Sequence, residues 1–118
     1  MGWGTVELEP EVCEWLEKLP ADLFARVAFY VDLLADEGAL LGEPYTKQLD
    51  GKLRELRFHL DNRQVRVTYW IAPGRRIILL TVFVKTRMRE RAQIERARLA
   101  LARCIAARHS AEEDGNDG

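Results

Sequence analysis

The chemistry this sequence can offer lies between Glu55 and Lys85. Within Leu53–Leu60, Leu56, Phe58 and Leu60 alternate with Glu55, Arg57 and His59, so a strand there has one apolar and one polar face. Val65, Val67, Tyr69 and Ile71 alternate with Arg66, Thr68 and Trp70 in the same way. Asp61-Asn62 between the two runs reads as a two-residue hairpin turn, which sets Arg57 directly across from Arg66 and Glu55 across from Thr68. Ile77–Val84 is apolar on both faces, as a central strand would be, and Lys85 follows it. A two-residue loop at Pro73-Gly74 would put Thr81 opposite Arg66, with Lys85 projecting from the same face.

Two arginines facing each other on a sheet repel, at a cost of roughly 0.2–1 kcal/mol. An anion between them removes that cost. Glu55 is the only acid on the patch and cannot balance Arg57, Arg66 and Lys85 together. A guanidinium fork and a lysine point charge both suit phosphate oxygens. Three such cations around one phosphodiester would stabilise the extra charge of a five-coordinate phosphorus. If the strand is RNA, its own 2′-hydroxyl supplies the nucleophile, leaving a general acid and a general base to be found. Glu55, His59 and Tyr69 are the nearest candidates. Lys52, Arg54, Trp70, Arg87 and Arg89 flank them as candidate RNA contacts. Trp70 would act by stacking on a base, unless it packs under the last helix. The plainer alternatives are that the surface cations solubilise the strands, that His59 is a bystander near a turn, and that Tyr69 on the apolar face is structural.

The charge distribution agrees with a polyanionic partner. Residues 1–43 carry ten acids and two basic residues, residues 44–108 carry sixteen basic residues and five acids, and the last ten residues carry four acids. The net charge of −1 therefore conceals a strongly basic half. At 118 residues the chain makes one domain with a modest core. It has no apolar run long enough to span a bilayer and no secretory leader pattern, so a cytoplasmic location is expected. Cys13 and Cys104 sit in helical patterns and read as small buried groups in a reducing compartment. With no CxxC, HExxH or glycine-rich phosphate loop, and with His59 and His109 the only histidines, neither a metal nor a cofactor is expected.

The elements that must position these residues follow from punctuation and period. Trp3–Leu8 reads as a first strand. Pro10 opens a helix whose Val12, Trp15, Leu16 and Leu19 recur at helical spacing, and Pro20 ends it. Asp22 lies in the first turn of a second helix, with Leu23, Val27, Tyr30, Val31 and Leu34 as its apolar stripe and Gly38 as its stop. Leu40–Gln48 reads as a connector broken by Gly42 and Pro44. The last helix spans about Arg89 to Ala107, with Ile94, Ala97, Leu101 and Cys104 or Ile105 on one stripe and Arg91, Arg96, Arg98 and Arg103 on the other face. The domain is expected over residues 1–108, with residues 109–118 a disordered acidic tail. The order β-α-α-β-β-β-α predicts an α+β fold, an N-terminal helical hairpin packed on a small antiparallel sheet with a C-terminal helix, the helices all on one side of the sheet.

The segment also resembles a known family. Tyr45-Thr46-Lys47-Gln48-Leu49, then L-D-G-K-L-R-E-L-R, V-R-V-T-Y and I-I-L-L-T-V-F-V-K-T are similar to the RelE/ParE superfamily of bacterial toxins, nearest to its HigB-like, phage-derived branch. The resemblance covers about Leu40 to Arg103 and rests on Glu55-Leu56-Arg57, Arg66, Phe83 and Lys85. It departs at Thr86, where the family's second lysine stands, at Met88-Arg89-Glu90, at Arg54 in place of an aromatic residue, and at Thr81 in place of a histidine. The resemblance implies a RelE-like fold and the toxin of a type II toxin–antitoxin system. Such a protein enters the ribosomal A site and cleaves mRNA there without metal or cofactor. Arg57, Arg66 and Lys85 would clamp the scissile phosphate. A cognate antitoxin would block this surface in a hetero-oligomer, and no membrane is involved. The superfamily also implies two alternatives, a ParE-like poison of DNA gyrase acting through the basic last helix, and an inactive module that binds antitoxin or nucleic acid.

Overall fold

Two prolines and a glycine define the N-terminal helices. Pro10 begins α1 (Pro10–Glu17), where its missing N–H has no partner to lose. Pro20 precedes α2 (Ala21–Glu37), and Gly38 ends it at φ 55°. The computed structural model describes residues 2–87 and 90–116, with side chains described to residue 108. Gly38 is required twice over. Its φ is left-handed, and a Cβ built there would lie 2.0 Å from Cε3 of Trp3, whose backbone N–H donates to Ala35 O at 2.9 Å. Gly38→Ala combines left-handed strain with overpacking and is expected to cost about 2–4 kcal/mol. Urea unfolding followed by far-UV circular dichroism measures it; an unchanged midpoint would refute this account of Trp3 and Gly38.

The remaining elements are β1 (Thr5–Leu8), a 3₁₀ turn at Gly38–Leu40, β2 (Thr46–Asp50), β3 (Leu53–Leu60), β4 (Arg63–Ala72), β5 (Arg76–Val84) and α3 (Glu90–Asn116). The sheet order is β1-β5-β4-β3-β2. The sheet is mixed, because β1 runs parallel to β5 while the other pairs are antiparallel.

The β3–β4 hairpin has the expected register, with Arg57 opposite Arg66 and Glu55 opposite Thr68. The β4–β5 register differs. Its loop has three residues, Pro73 to Arg75, with Gly74 and Arg75 at φ 84° and 56°, so that Ala72 faces Arg76. A bulge near Thr68 then shifts the ladder once more, setting Thr81 opposite Thr68 and Phe83 opposite Arg66. β2 was expected as connector. Its mostly exposed, polar Thr46–Asp50 run carries no apolar alternation, yet it pairs along β3 as an edge strand.

The helices lie on both faces of the sheet rather than one. α1 and α2 bury Val12, Val27 and Leu34 against Leu56, Phe58, Val67, Tyr69 and Leu79. α3 lays Ala97 and Cys104 on Leu53, Trp70, Ile78 and Leu80, using the stripe its spacing predicts. β5 is apolar on both faces because it has helices on both. α3 also runs on to Asn116, through most of the segment expected to be disordered. Alanines and glutamates at 106, 107 and 111–113 are strong helix formers and extend it.

A half-edge of β5 remains beyond the end of β1, and side chains cover it. Val82 donates its N–H to Glu11 Oε2 at 2.9 Å and accepts at its carbonyl from Arg96 Nη2 at 3.2 Å, while Arg96 Nη1 pairs with Glu11 Oε1. This arrangement ties α1, β5 and α3 together.

Candidate phosphate-binding site

On the α3 side of the sheet, β3, β4 and β5 present their side chains in rows of three, graded from dry to wet. The first row is Leu53 and Trp70 with Ile78, apolar and covered by α3. The second is Glu55, Thr68 and Thr81, polar and buried. Here the Thr68 and Thr81 hydroxyls hydrogen-bond each other at 2.5 Å, satisfying both without water. The third row is Arg57, Arg66 and Phe83. The fourth is His59, Gln64 and exposed Lys85, whose N–H continues the ladder to Gln64 O at 2.8 Å. Successive rows lie about 7 Å apart and neighbouring strands about 5 Å apart, so the cations cluster within the reach of one or two phosphates.

Glu55 is fully buried directly behind the arginines. Its Oε1 lies 3.4 Å from Arg57 Nε and 3.6 Å from Arg66 Nε. Neither contact has hydrogen-bond alignment, and both carboxylate oxygens and both Nε atoms find no hydrogen-bond partner among the described residues. Burial raises the Glu55 carboxyl above its usual value, and Arg66 and Arg57 pull it back down. Burial likewise lowers Arg66, and the facing Arg57 lowers it further. Arg66 is anchored by donating to Val65 O and Gln64 Oε1, each at 3.2 Å. Arg57 remains partly exposed. Two guanidinium groups and Lys85 at the end of β5, set against buried Glu55 and against Glu90 at the start of α3, leave a net positive charge at this end of the sheet. An incoming oxyanion would meet preorganised donors there.

Of the sequence-predicted residues, Arg57, Arg66, Lys85, Glu55 and His59 share this face. Tyr69 does not. It points to the opposite face, fully buried in the core with α1 and α2, and its hydroxyl accepts from Arg54 Nε at 3.3 Å. Arg54 is on that same side and also donates to Thr46 Oγ1 at 3.4 Å. Trp70 is buried under α3, where its Nε1 donates to Cys104 Sγ at 3.4 Å and Arg108 lies 5.8 Å over its ring. No face of Trp70 is open to a base. Lys52 is exposed at the β2–β3 turn, on the strand end away from His59, some five residues or roughly 17 Å from Arg57. Arg87 is exposed beside Lys85, and both line a shallow cavity with Arg63. Arg89 lies outside the described residues. On α3, Arg96 is taken up by Glu11, and Arg98 pairs with Asp50 at 2.9 Å and Glu95 at 2.8 Å.

Sequence reasoning missed two contributors. Arg63 joins Lys85 and Arg87 because the Asp61-Asn62 turn brings it beside the end of β5. A cavity of about 400 Å³ opens beside Arg57 and Arg66, walled by Tyr30, Pro44, Tyr45 and His59. Tyr45 lies in the segment read as a connector. Only the pairing of β2 with β3 places it there, its carbonyl accepting from Arg57 N–H at 2.8 Å.

The fold is that of the RelE toxins. The chain is similar to Escherichia coli toxin RelE in the free state, solved as a double arginine variant, with TM-score 0.58 and 12% identity over 87% of this chain and 98% of that one. The RelBE2 toxin–antitoxin complex from Mycobacterium tuberculosis contains a chain that matches with TM-score 0.53 and 21% identity, covering 70% of this chain and 98% of that one. In the archaeal RelE–RelB complex from Pyrococcus horikoshii the values are 0.52 and 21%, with 74% and 99% covered. Within that architecture the chain belongs to the family of phage-derived Gp49-like proteins (DUF891), whose profile matches residues 14–104. No curated protein matches the chain. Among the described residues, no helix is long and apolar enough to cross a membrane.

Proposed function

We propose that this protein is the toxin of a type II toxin–antitoxin pair and that it cleaves mRNA on the ribosome. The observation that carries the reading is the facing pair Arg57 and Arg66, with buried Glu55 behind them and exposed Lys85 in the next row, on the sheet of a RelE fold. In the proposed reaction the 2′-hydroxyl of the RNA attacks the adjacent phosphorus while the bond to the 5′ oxygen breaks. The products are a 2′,3′-cyclic phosphate and a 5′-hydroxyl end. Arg57, Arg66 and Lys85 neutralise the charge that builds on the phosphoryl oxygens. Glu55 lies behind the two guanidinium groups, its Oε1 3.4 Å from Arg57 Nε and 3.6 Å from Arg66 Nε. Of the proton-transfer candidates, His59 stands in the solvent-facing row with Gln64 and Lys85, and an imidazole is the commonest general acid or base. It is suited to take the 2′-hydroxyl proton or to protonate the leaving 5′ oxygen, with Glu55 as the other candidate. A cognate antitoxin covering this face would silence it, in keeping with the antitoxin-bound state of two of the structural relatives.

A gyrase-poisoning role would draw on the basic face of α3, where Arg96 and Arg98 are already held in ion pairs. The test is a cell-free translation reaction with purified protein, reading mRNA 5′ ends by primer extension with and without ribosomes. Codon-phased cuts on translated message alone are expected. Intact message with continued translation would overturn the reading, and a supercoiling assay would then address gyrase.

A further inference from the structure

We propose that the cavity beside Arg57 is a nucleobase pocket, which receives the base of the nucleotide whose phosphate rests on Arg57 and Arg66. The inference rests on the nucleic-acid reading above and adds a second point of recognition to it. Its floor is rigid: the Tyr30 and Phe58 rings stack with centroids 4.9 Å apart and planes 9° from parallel, and Phe29 meets Tyr30 edge-on at 5.3 Å. The rim is different. Tyr45 is 41% exposed, and it is the exposed aromatic side chain on the rim beside Arg57 and His59. Tyr45 is also fixed relative to the cations, because the main-chain hydrogen bond from Arg57 N–H to Tyr45 O locks the two residues side by side.

A flat apolar surface held next to a guanidinium matches the two halves of a nucleotide, a π face and an anion. His59 completes the rim with a ring that both donates and accepts hydrogen bonds, suited to the edge of a base. The cavity, at about 400 Å³, falls within the range that takes a small planar ligand. Phosphate contacts position a strand without reading it, whereas a base in this pocket would be sensed by shape and hydrogen bonding. The pocket would therefore contribute base preference to a site whose cations are blind to sequence.

The test uses the full chain and a fluorescein-labelled RNA hexamer with 2′-O-methyl sugars, which cannot be cleaved through the 2′ oxygen, alongside the same hexamer made abasic. Anisotropy titrations at low salt are run for the wild type and for Tyr45→Ala, Tyr45→Phe and Arg57→Ala. Tyr45→Ala should weaken binding of the base-bearing hexamer about tenfold and leave the abasic one unchanged, with Tyr45→Phe close to wild type. Arg57→Ala should weaken both hexamers alike. If Tyr45→Ala binds both hexamers as the wild type does while Arg57→Ala weakens both, the base pocket is refuted and the phosphate site stands. If the wild type binds neither hexamer, the base pocket is refuted, and primer extension on translated message alone decides the nucleic-acid reading.

Discussion

Replacing Arg57 and Lys85 together with alanine is expected to lower mRNA cleavage by at least about 10³-fold and to release growth arrest, while the protein stays folded. One preorganised donor at a developing oxyanion is worth about 10²–10³ in rate, and two acting on one phosphate do not simply multiply. These positions suit the experiment because Lys85 is exposed and Arg57 partly so, which limits the damage to packing. Arg66 is a poorer choice. It is 4% exposed and anchored by two hydrogen bonds, so its loss would mix catalysis with stability. Primer extension on translated message gives the cleavage rate, and thermal unfolding checks the fold. Full toxicity in a correctly folded double variant would sink the assignment of the cationic row.

Glu55→Ala is expected to reduce the unfolding free energy by about 3–5 kcal/mol, the usual consequence of removing one partner from a buried charge cluster. Without the carboxylate, Arg57 and Arg66 face each other across the hairpin with nothing between them, and Arg66 is buried. Glu55→Gln keeps the volume and should cost less. It also isolates the titration. Because burial raises the Glu55 carboxyl, the folded chain retains a proton that the unfolded chain has released. That stabilisation is fully present below the usual value of 4.5 and is lost as the pH rises through the folded value. Urea midpoints measured from pH 4 upward should therefore fall in that window for the wild type and stay flatter for Glu55→Gln. Superimposable profiles would show that Glu55 does not titrate as its burial dictates.

The hairpin that carries the arginine pair was legible in the sequence, because alternation fixes the faces and a two-residue turn fixes the register. Arg57 opposite Arg66 followed from Asp61-Asn62 alone. The neighbouring ladder was not legible. Nothing in Pro73-Gly74-Arg75 announces a third loop residue, and a bulge inside an apolar run leaves no trace in composition. β2 went unseen because an exposed edge strand has no buried face to alternate. The side of the sheet that α3 covers was written in Ile77–Val84, apolar on both faces, yet a one-sided layout hides that meaning. The second helical layer shapes the site: it makes Trp70 core rather than a stacking surface, and leaves Tyr45, outside the layer, as the exposed aromatic beside Arg57.

The parallel pairing of β1 with β5 has a consequence for the order in which the molecule assembles. Thr5 meets Arg76 and Leu8 meets Leu79, so this contact closes a loop of roughly seventy residues, while Arg57 and Arg66 are joined across a turn of two. Loop-closure entropy favours the short connection first. During synthesis the N-terminal strand leaves the exit tunnel long before its partner exists. The arginine pair can therefore form on a nascent hairpin before the strand order of the sheet is complete, and β1, made before its partner, is among the last strands to find its place.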